Sequence, residues 1–406
     1  MSIGGYAFRN CTSLKKIVIP GSVTTLGEGA FYGCIGITRA IIKNNSVDIG
    51  RWAFYNCKGI EELTIPVSVE INNKNTFEGC INIKTVILTR GTETMVNYGG
   101  ENRPPYQATP WYISRKNIKE IIIEEGVKNI GDYAFSNCDK IVNVIMSDSI
   151  VDADEGAYIK VPDSITSIGE GAFFGCTSIV NMKIPDGVIN IGKSAFSVCT
   201  SLTNITIPSG ITVINEDTFN SCSSLISITI PNGVTSIGIG AFGSCDNLAD
   251  IVIPDSVTSI GNGAFAYCDS LTSVTIPNGI VTINERTFDY CTNLANIIIP
   301  DSVVSIGRSA FYECTGLTNI IIPNNVTNIS EYAFAYCTGI NNLEVPDNVK
   351  TIGDHAFENI FNVIYHGSAA GSPWGARYIN AFIEGFLVYS NESKVELIDC
   401  NEEATG

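Results

Sequence analysis

Histidine is almost missing from this chain. His355 and His366 are the only two in 406 residues, both at the end of a repetitive region. Neither has the serine or cysteine context of a nucleophilic triad. Charge is sparse at 16% and lopsided, with 24 basic against 41 acidic residues and a net charge of −17. That balance excludes nucleic acid and anionic membrane as natural partners, because polyanions repel one another. No uninterrupted run of about 18 apolar residues occurs, so no membrane insertion is expected. Fourteen cysteines are present, but none forms a CxxC or similarly clustered pair, which removes the usual zinc spacing.

What the chain has instead is one 23-residue sentence written many times. From Cys199 it reads CTSLTNITIPSGITVINEDTFNS, and Cys222, Cys245, Cys268, Cys291, Cys314 and Cys337 each restart it. A fixed period of this size marks a solenoid, in which each coil buries its apolar side only against its neighbours. Counting the cysteine as 0, apolar residues recur at positions 3, 6, 8, 12, 15 and 20; after Cys199 these are Leu202, Ile205, Ile207, Ile211, Ile214 and Phe219. The alternation around Ile205 and Ile207 predicts a strand with one buried face. Proline at position 9 (Pro208, Pro231, Pro254) ends it, having no N–H for a ladder. A second short extended piece follows. Glycine at position 16 (Gly192, Gly238, Gly261, Gly307, Gly353) reads as a positive-φ corner, and a turn of helix or 3-10 helix then carries Ala-Phe. Asn73, Asn215 and Asn284 replace that glycine in coils where Thr76, Thr218 and Thr287 replace the alanine. Asparagine tolerates positive φ, and the threonine hydroxyl is expected to bond locally.

The frame runs back through Cys176, Cys138, Cys80, Cys57, Cys34 and Cys11 and forward to Ile360. One coil between Cys80 and Cys138 is disguised, with Tyr112 at the Phe position, Arg115 at the Cys position and Ile118, Ile121 and Ile123 as its strand. The total is about fifteen coils, which at roughly 4.8 Å per stacked strand makes a rod or arc on the order of 70 Å long. Two coils are swollen: Cys80 to Arg115 spans 35 residues and Cys138 to Cys176 spans 38. The insertions fall near 89–110 and 147–161, and both leave the frame just past the first strand. The unbroken frame argues for one solenoid domain, residues 1–365. Residues 366–406 read as a small C-terminal capping module in which FLVYS and KVELI pair as a hairpin around Asn391 and Glu392. The chain opens at the corner of a coil without a polar cap, so a segment of a longer protein, or a lost cap, is expected.

LTSVTIPNGIVTINERTFDYC (271–291), with its siblings IPDSVTSIGNGAFAYC and IPNGVTSIGIGAFGSC, resembles the BspA-type leucine-rich repeat over nearly all of residues 3–360. The resemblance implies an α/β repeat fold, a right-handed leucine-rich-repeat solenoid with a concave parallel β-sheet. It also implies a secreted or surface protein, usually bacterial, in a family associated with adhesion and host-protein binding. Arg115, Asn72 in an Ile position and the two insertions depart from the family pattern.

Several motifs invite chemistry. Gly187 to Ser194 matches GxxxxGKS, the phosphate-cradling P-loop. A P-loop needs a free turn and a full helix, whereas Val188 and Ile191 occupy core positions here. Asp152-Ala153-Asp154-Glu155-Gly156 has the oxygen density calcium favours without EF-hand spacing, and reads as a solvated acidic loop. Thirteen cysteines share one coil position. Stacked slots are close enough for disulfides, but Arg115 and Ile360 fill the slot without a partner, so the cysteines read as small buried hydrophobes. No catalytic constellation is found and no cofactor or metal is expected.

Two surfaces remain. The exposed strand face carries a nearly uncharged ribbon at position 7 (Val18, Ile41, Thr64, Thr229, Val252, Ile298, Ile321) beside an asparagine ladder at position 5 (Asn181, Asn204, Asn296, Asn319, Asn342). It is either a row of good β-formers stacking on themselves or an extended binding surface. The insertions bring the residue types of binding hot spots. Tyr98, Arg103 and Tyr106 from the first, with Asp152, Asp154 and Tyr158 from the second, form the candidate ligand site. Trp111 is left between joining that site and packing beneath it. The reading is a non-enzymatic, monomeric protein- or glycan-binding module of an extracellular or cell-surface adhesin-like protein, engaging a host or neighbouring-cell partner. The alternative is a spacer that presents other domains.

Overall fold

The computed structural model describes residues 1–71, 75–98, 109–146, 157–365, 367, 378–383, 386–391 and 394–399. A typical coil contributes two extended pieces, one on either side of its proline. Like pieces stack in parallel to make a β-solenoid of about 15 turns with almost no helix. The chain divides into two compact units, Met1–Ile211 and Thr212–Gly406.

In Met1–Ile211, strand Lys16–Ile19 pairs with Arg39–Ile42, that with Glu62–Pro66, and the ladder continues through Thr85–Thr89 to Glu120–Ile123. Alternation sends Ile17, Ile19, Ala40 and Ile42 inward. Each coil thereby adds its own share of buried apolar area, stabilising at roughly 25 cal/mol per Å². In Thr212–Gly406, Ser227–Thr229, Asp250–Val252, Ser273–Thr275 and Asn296–Ile298 pair in the same way. The short second strands, such as Ser236–Ile237 with Ser259–Ile260, form ladders of their own.

The Ala-Phe segment is not the helical turn that the spacing predicts. Two of its positions take positive φ: the one two before Phe (Arg286 54°, His355 56°) and the one before Cys (Tyr267 60°, Glu313 57°). Its N–H groups donate onward to the next coil, Gly263 to Glu285 at 2.8 Å, Phe265 to Thr287 at 3.0 Å and Tyr267 to Asp289 at 2.7 Å. A helix would turn these bonds back into its own coil; here the segment is a third ladder, and its backbone is satisfied without a helix. Among the described residues the only helical piece is the 3-10 turn Tyr112–Ser114.

Glycine at position 16 is not the positive-φ corner either. A Cβ on Gly238 would lie 2.5 Å from the Glu216 nitrogen, and one on Gly261 2.5 Å from that of Ile239. Close approach of neighbouring backbones, not φ, demands glycine there. Asn284 takes the same position and donates from Nδ2 to the Ile260 carbonyl at 2.6 Å. The Thr218 and Thr287 hydroxyls donate locally to the Asn215 and Asn284 carbonyls, both at 2.8 Å. Asn72 and Asn73 lie outside the described residues.

Inside, Phe219, Phe242, Phe265, Phe288, Phe311 and Phe334 stack at 5.2 to 5.6 Å. Beside them thiols donate to the phenylalanine carbonyl of the preceding coil, Cys268 to Phe242 at 3.2 Å and Cys291 to Phe265 at 3.1 Å. The cysteine is therefore a donor as well as a hydrophobe, and all thirteen described cysteines are free.

The disguised coil is framed one residue earlier than its spacing suggests. Trp111, not Tyr112, is buried and stacks on Phe135 at 6.2 Å. Ser114, not Arg115, fills the cysteine slot: its Oγ donates to the Cys80 carbonyl and accepts from the Ile83 N–H at 3.2 Å. The indole has more apolar area to bury than the phenol, and the 3-10 turn absorbs the additional residue. Arg115 instead lies over the Tyr112 ring at 4.1 Å.

The two insertions behave differently. The first returns as a second strand: Thr94 bridges Asn129, the Val96 N–H donates to Val67 at 2.9 Å and that of Tyr98 to Asp132 at 3.0 Å. The second adds a strand to the sheet, Ala157–Val161 entering between Glu120–Ile123 and Ile141–Met146 and pairing with both. In the other unit, Asn362–Tyr365 follows Asn342–Val345 at a spacing of 20 residues. Tyr378–Ile383 joins it in parallel, and Phe386–Asn391 then pairs antiparallel with Lys394–Asp399, Asn391 opposite Lys394.

Candidate binding surface

The strand face of Thr212–Gly406 carries side chains that the core does not use. Val252 is 77% exposed, Ile298 63% and Ile321 84%. Register sets Thr229 opposite Val252 and Thr275 opposite Ile298, with Ser227, Asp250, Ser273 and Asn296 in the row beside them. The face is thus hydroxyls, amides and branched methyls with little charge. In Met1–Ile211 the corresponding row is Lys16, Arg39 and Glu62, and Arg39 pairs with Glu62 at 2.5 Å. The position-7 ribbon is uncharged here too, Val18 opposite Ile41 and Ile41 opposite Thr64, and it is the position-5 row beside it that carries charge in these first coils. Reading position 5 in every coil would have found the difference.

The ladder then parts. Asn319 makes a single parallel bridge to Asn296, while Asn342–Val345 pairs onward with Asn362–Tyr365. Among the described residues no strand pairing joins Asn319–Ile322 to Asn342–Val345. Between them opens a cleft of about 950 Å³ lined by Asn319, Ile320, Ile321, Asn342, Glu344 and Asp347. The core beneath is continuous: Phe311 stacks on Phe334 at 5.2 Å, and Ser305–Ile306, Asn328–Ile329 and Thr351–Ile352 pair without a gap. The flanking coils depart from the repeat at Ser330, in the position-16 glycine slot, and at Glu344, in the ribbon row, but neither departure spells an opening.

Of the six residues expected to form a loop site, Tyr98 and Tyr158 are described. Tyr98 is 4% exposed, edge-on to Trp111 at 5.5 Å, and burial pushes its hydroxyl pKa up. Both aromatics pack in the core. Tyr158 belongs to the sheet, its backbone opposite Asn143 and Glu120. Arg103, Tyr106, Asp152 and Asp154, with the rest of the acidic run 152–156, lie outside the described residues, as does His366. His355 is exposed, stacked on Tyr332 at 5.1 Å with Nδ1 3.3 Å from Glu358. The GxxxxGKS segment makes no phosphate cradle: Val188 and Ile191 are buried and turns, not a helix, follow Gly192. Among the described residues no group of three or more His, Cys, Asp or Glu is placed to hold a metal, and no helix is long and apolar enough to cross a membrane.

The family model for the BspA-type leucine-rich repeat region matches residues 1–99, 112–158, 152–272 and 258–366. No curated protein matches the chain. Among solved structures it is similar to a leucine-rich repeat protein from Bacteroides ovatus, 29% identical over 86% of each chain, with a TM-score of 0.66. A leucine-rich cell surface protein from Faecalibacterium prausnitzii is 27% identical over 90% of this chain and 83% of its own, with a TM-score of 0.42.

Proposed function

The chain belongs to the BspA-type leucine-rich repeat family, and from that premise we propose that it is a non-enzymatic recognition module of a bacterial surface protein, holding an extended segment of a partner protein in the cleft of its strand face. The parted ladder carries this reading. Two strand edges that face a gap present N–H and C=O groups able to accept a further strand. A peptide laid between Asn319–Ile322 and Asn342–Val345 would pair with the main chain on both sides, the strand-addition mode of recognition. Glu344 and Asp347 put carboxylates at the cleft beside the exposed Ile321, which favours a segment of mixed basic and apolar side chains. The low charge of the adjoining ribbon lets such a segment approach without desolvating ions.

Panning a display library of unstructured peptides against the whole chain tests the reading. Enriched peptides should be extended, contain Lys or Arg, and lose roughly tenfold or more in affinity on Glu344→Lys and on Ile321→Asp. Both residues are exposed, so folding is not at stake. A spacer without a ligand of its own would enrich nothing, and peptides indifferent to both substitutions would place recognition elsewhere.

A further inference from the structure

On the turn face of Thr212–Gly406 tyrosines form a row that begins with a stacked pair. Tyr267 lies on Tyr290 at 4.8 Å, Tyr290 meets Tyr312 at 5.4 Å, and Tyr312 meets Tyr336 at 5.4 Å. The row ends abruptly at Tyr267. The position before the cysteine that holds Tyr267 and Tyr290 holds Ser244 one coil earlier, and Gly240, Gly243 and Gly263 around it supply no side chains. A hollow of about 410 Å³ results, walled by Tyr267, Arg286 and Asp289.

Asp289 gives the hollow its chemistry. It is 3% exposed. Its Oδ2 lies 3.7 Å from Nε of the solvent-exposed Arg286, while its buried Oδ1 has no hydrogen-bond partner. An unpaired buried carboxylate oxygen is costly, and the fold does not require it: the same coil position is Gly243, Ala266, Tyr312 or Ala335 in neighbouring coils. Oδ1 is closed off as the side chain stands, and a ligand in the hollow that draws the carboxylate round and donates to it would remove the cost. A divalent cation is a poor candidate, since no metal-holding group is present among the described residues. A cationic amine would meet the Arg286 guanidinium already at that carboxylate. Neutral hydroxyl donors meet neither objection.

We propose that this hollow is a carbohydrate site, in which a pyranose ring stacks on Tyr267 where a further tyrosine would lie and donates a hydroxyl to Asp289 Oδ1. An aromatic face takes the C–H side of the ring, and a carboxylate acceptor beside a guanidinium donor orients its hydroxyls. The site is separate from the strand cleft and does not rest on it.

The test is binding of the whole chain to an array of defined mono- to tetrasaccharides of glucose, galactose, mannose and N-acetylglucosamine. At least one should bind, and Ser244→Tyr should weaken it roughly tenfold or more by filling the hollow. Tyrosine is already accommodated at this coil position: Ser244 has a φ of 56°, against 60° for Tyr267 and 57° for Tyr290. Tyr267→Ala should lose the same binding, whereas Glu344→Lys in the cleft should retain it. An array without a binder, a saccharide held equally by Ser244→Tyr, or one lost only on Glu344→Lys would overturn the assignment.

Discussion

Burial pushes the Asp289 carboxyl from the ordinary 3.8 up to about 6, with Arg286 pulling it down and Glu313 adding to the rise. The folded state therefore holds its proton more tightly than the unfolded one, and the group subtracts stability as pH rises from about 4 to about 6. Asp289→Asn keeps the shape and removes the charge. It should raise the urea midpoint at pH 7, reflecting a stability gain on the order of 1–3 kcal/mol, and flatten the stability profile between about pH 4 and 6. An unchanged midpoint would mean that Oδ1 is satisfied after all. A residue whose removal stabilises the fold while damaging a site is what a functional position looks like. The sequence shows Asp289 as one more polar residue in a turn; its burial comes from the coils on either side.

Within one coil, two glycines two residues apart serve different ends. Gly261 has no room: a Cβ would sit 2.5 Å from the Ile239 nitrogen and 2.6 Å from the Gly238 carbonyl carbon, both main chain. Gly263 has room, its nearest neighbour being the Ala266 Cβ at 3.8 Å, and its φ of +59° is one that Ser194, Arg286 and Ser309 adopt at the same position. Gly261→Ala should therefore cost roughly 2–4 kcal/mol through forced backbone displacement. Gly263→Ala should cost about 1 kcal/mol or less, since left-handed strain is partly offset by a stiffer unfolded chain. Denaturant midpoints of the two variants decide it, and equal losses would contradict the close-approach account. The sequence carried a hint: position 18 varies freely from coil to coil, whereas position 16 keeps glycine in most coils. Composition alone could not say whether space or φ was the reason.

Across the molecule the thiols act as a set. Burial raises Cys176 and Cys268 from 9.0 to about 12 and Cys34 to about 11, against a backbone hydrogen bond from the cysteine one coil earlier (Cys138, Cys245 and Cys11), which lowers it. Folded pKa values above the unfolded ones mean a contribution fully present below about pH 9 and lost as pH rises toward 12. Stability should be level from about pH 7 to 8.5 and fall beyond about 9. It should be indifferent to reductant throughout, because the thirteen described cysteines hold carbonyls or core space rather than one another. Alkylation after denaturation without reductant reads this out directly: at least about ten of the fourteen cysteines should react, and a majority found bridged would refute the thiol ladder.

The period, the buried rows, the strand before most of the prolines and the hairpin of 386–391 with 394–399 follow from the sequence alone. Each depends on a residue and its counterpart one repeat away, and a solenoid is stabilised by those nearest-neighbour contacts. What the tertiary structure decided is where unlike coils compete for one space. Trp111 displaced Tyr112 because the larger ring gained more by burial. AYIKV entered the sheet because its alternation matches the edges of Glu120–Ile123 and Ile141–Met146. The cleft opened where two neighbouring coils leave their first strands unpaired with each other, and the hollow formed because Ser244, three glycines and Asp289, drawn from three coils, meet at one point. No single coil encodes such a meeting.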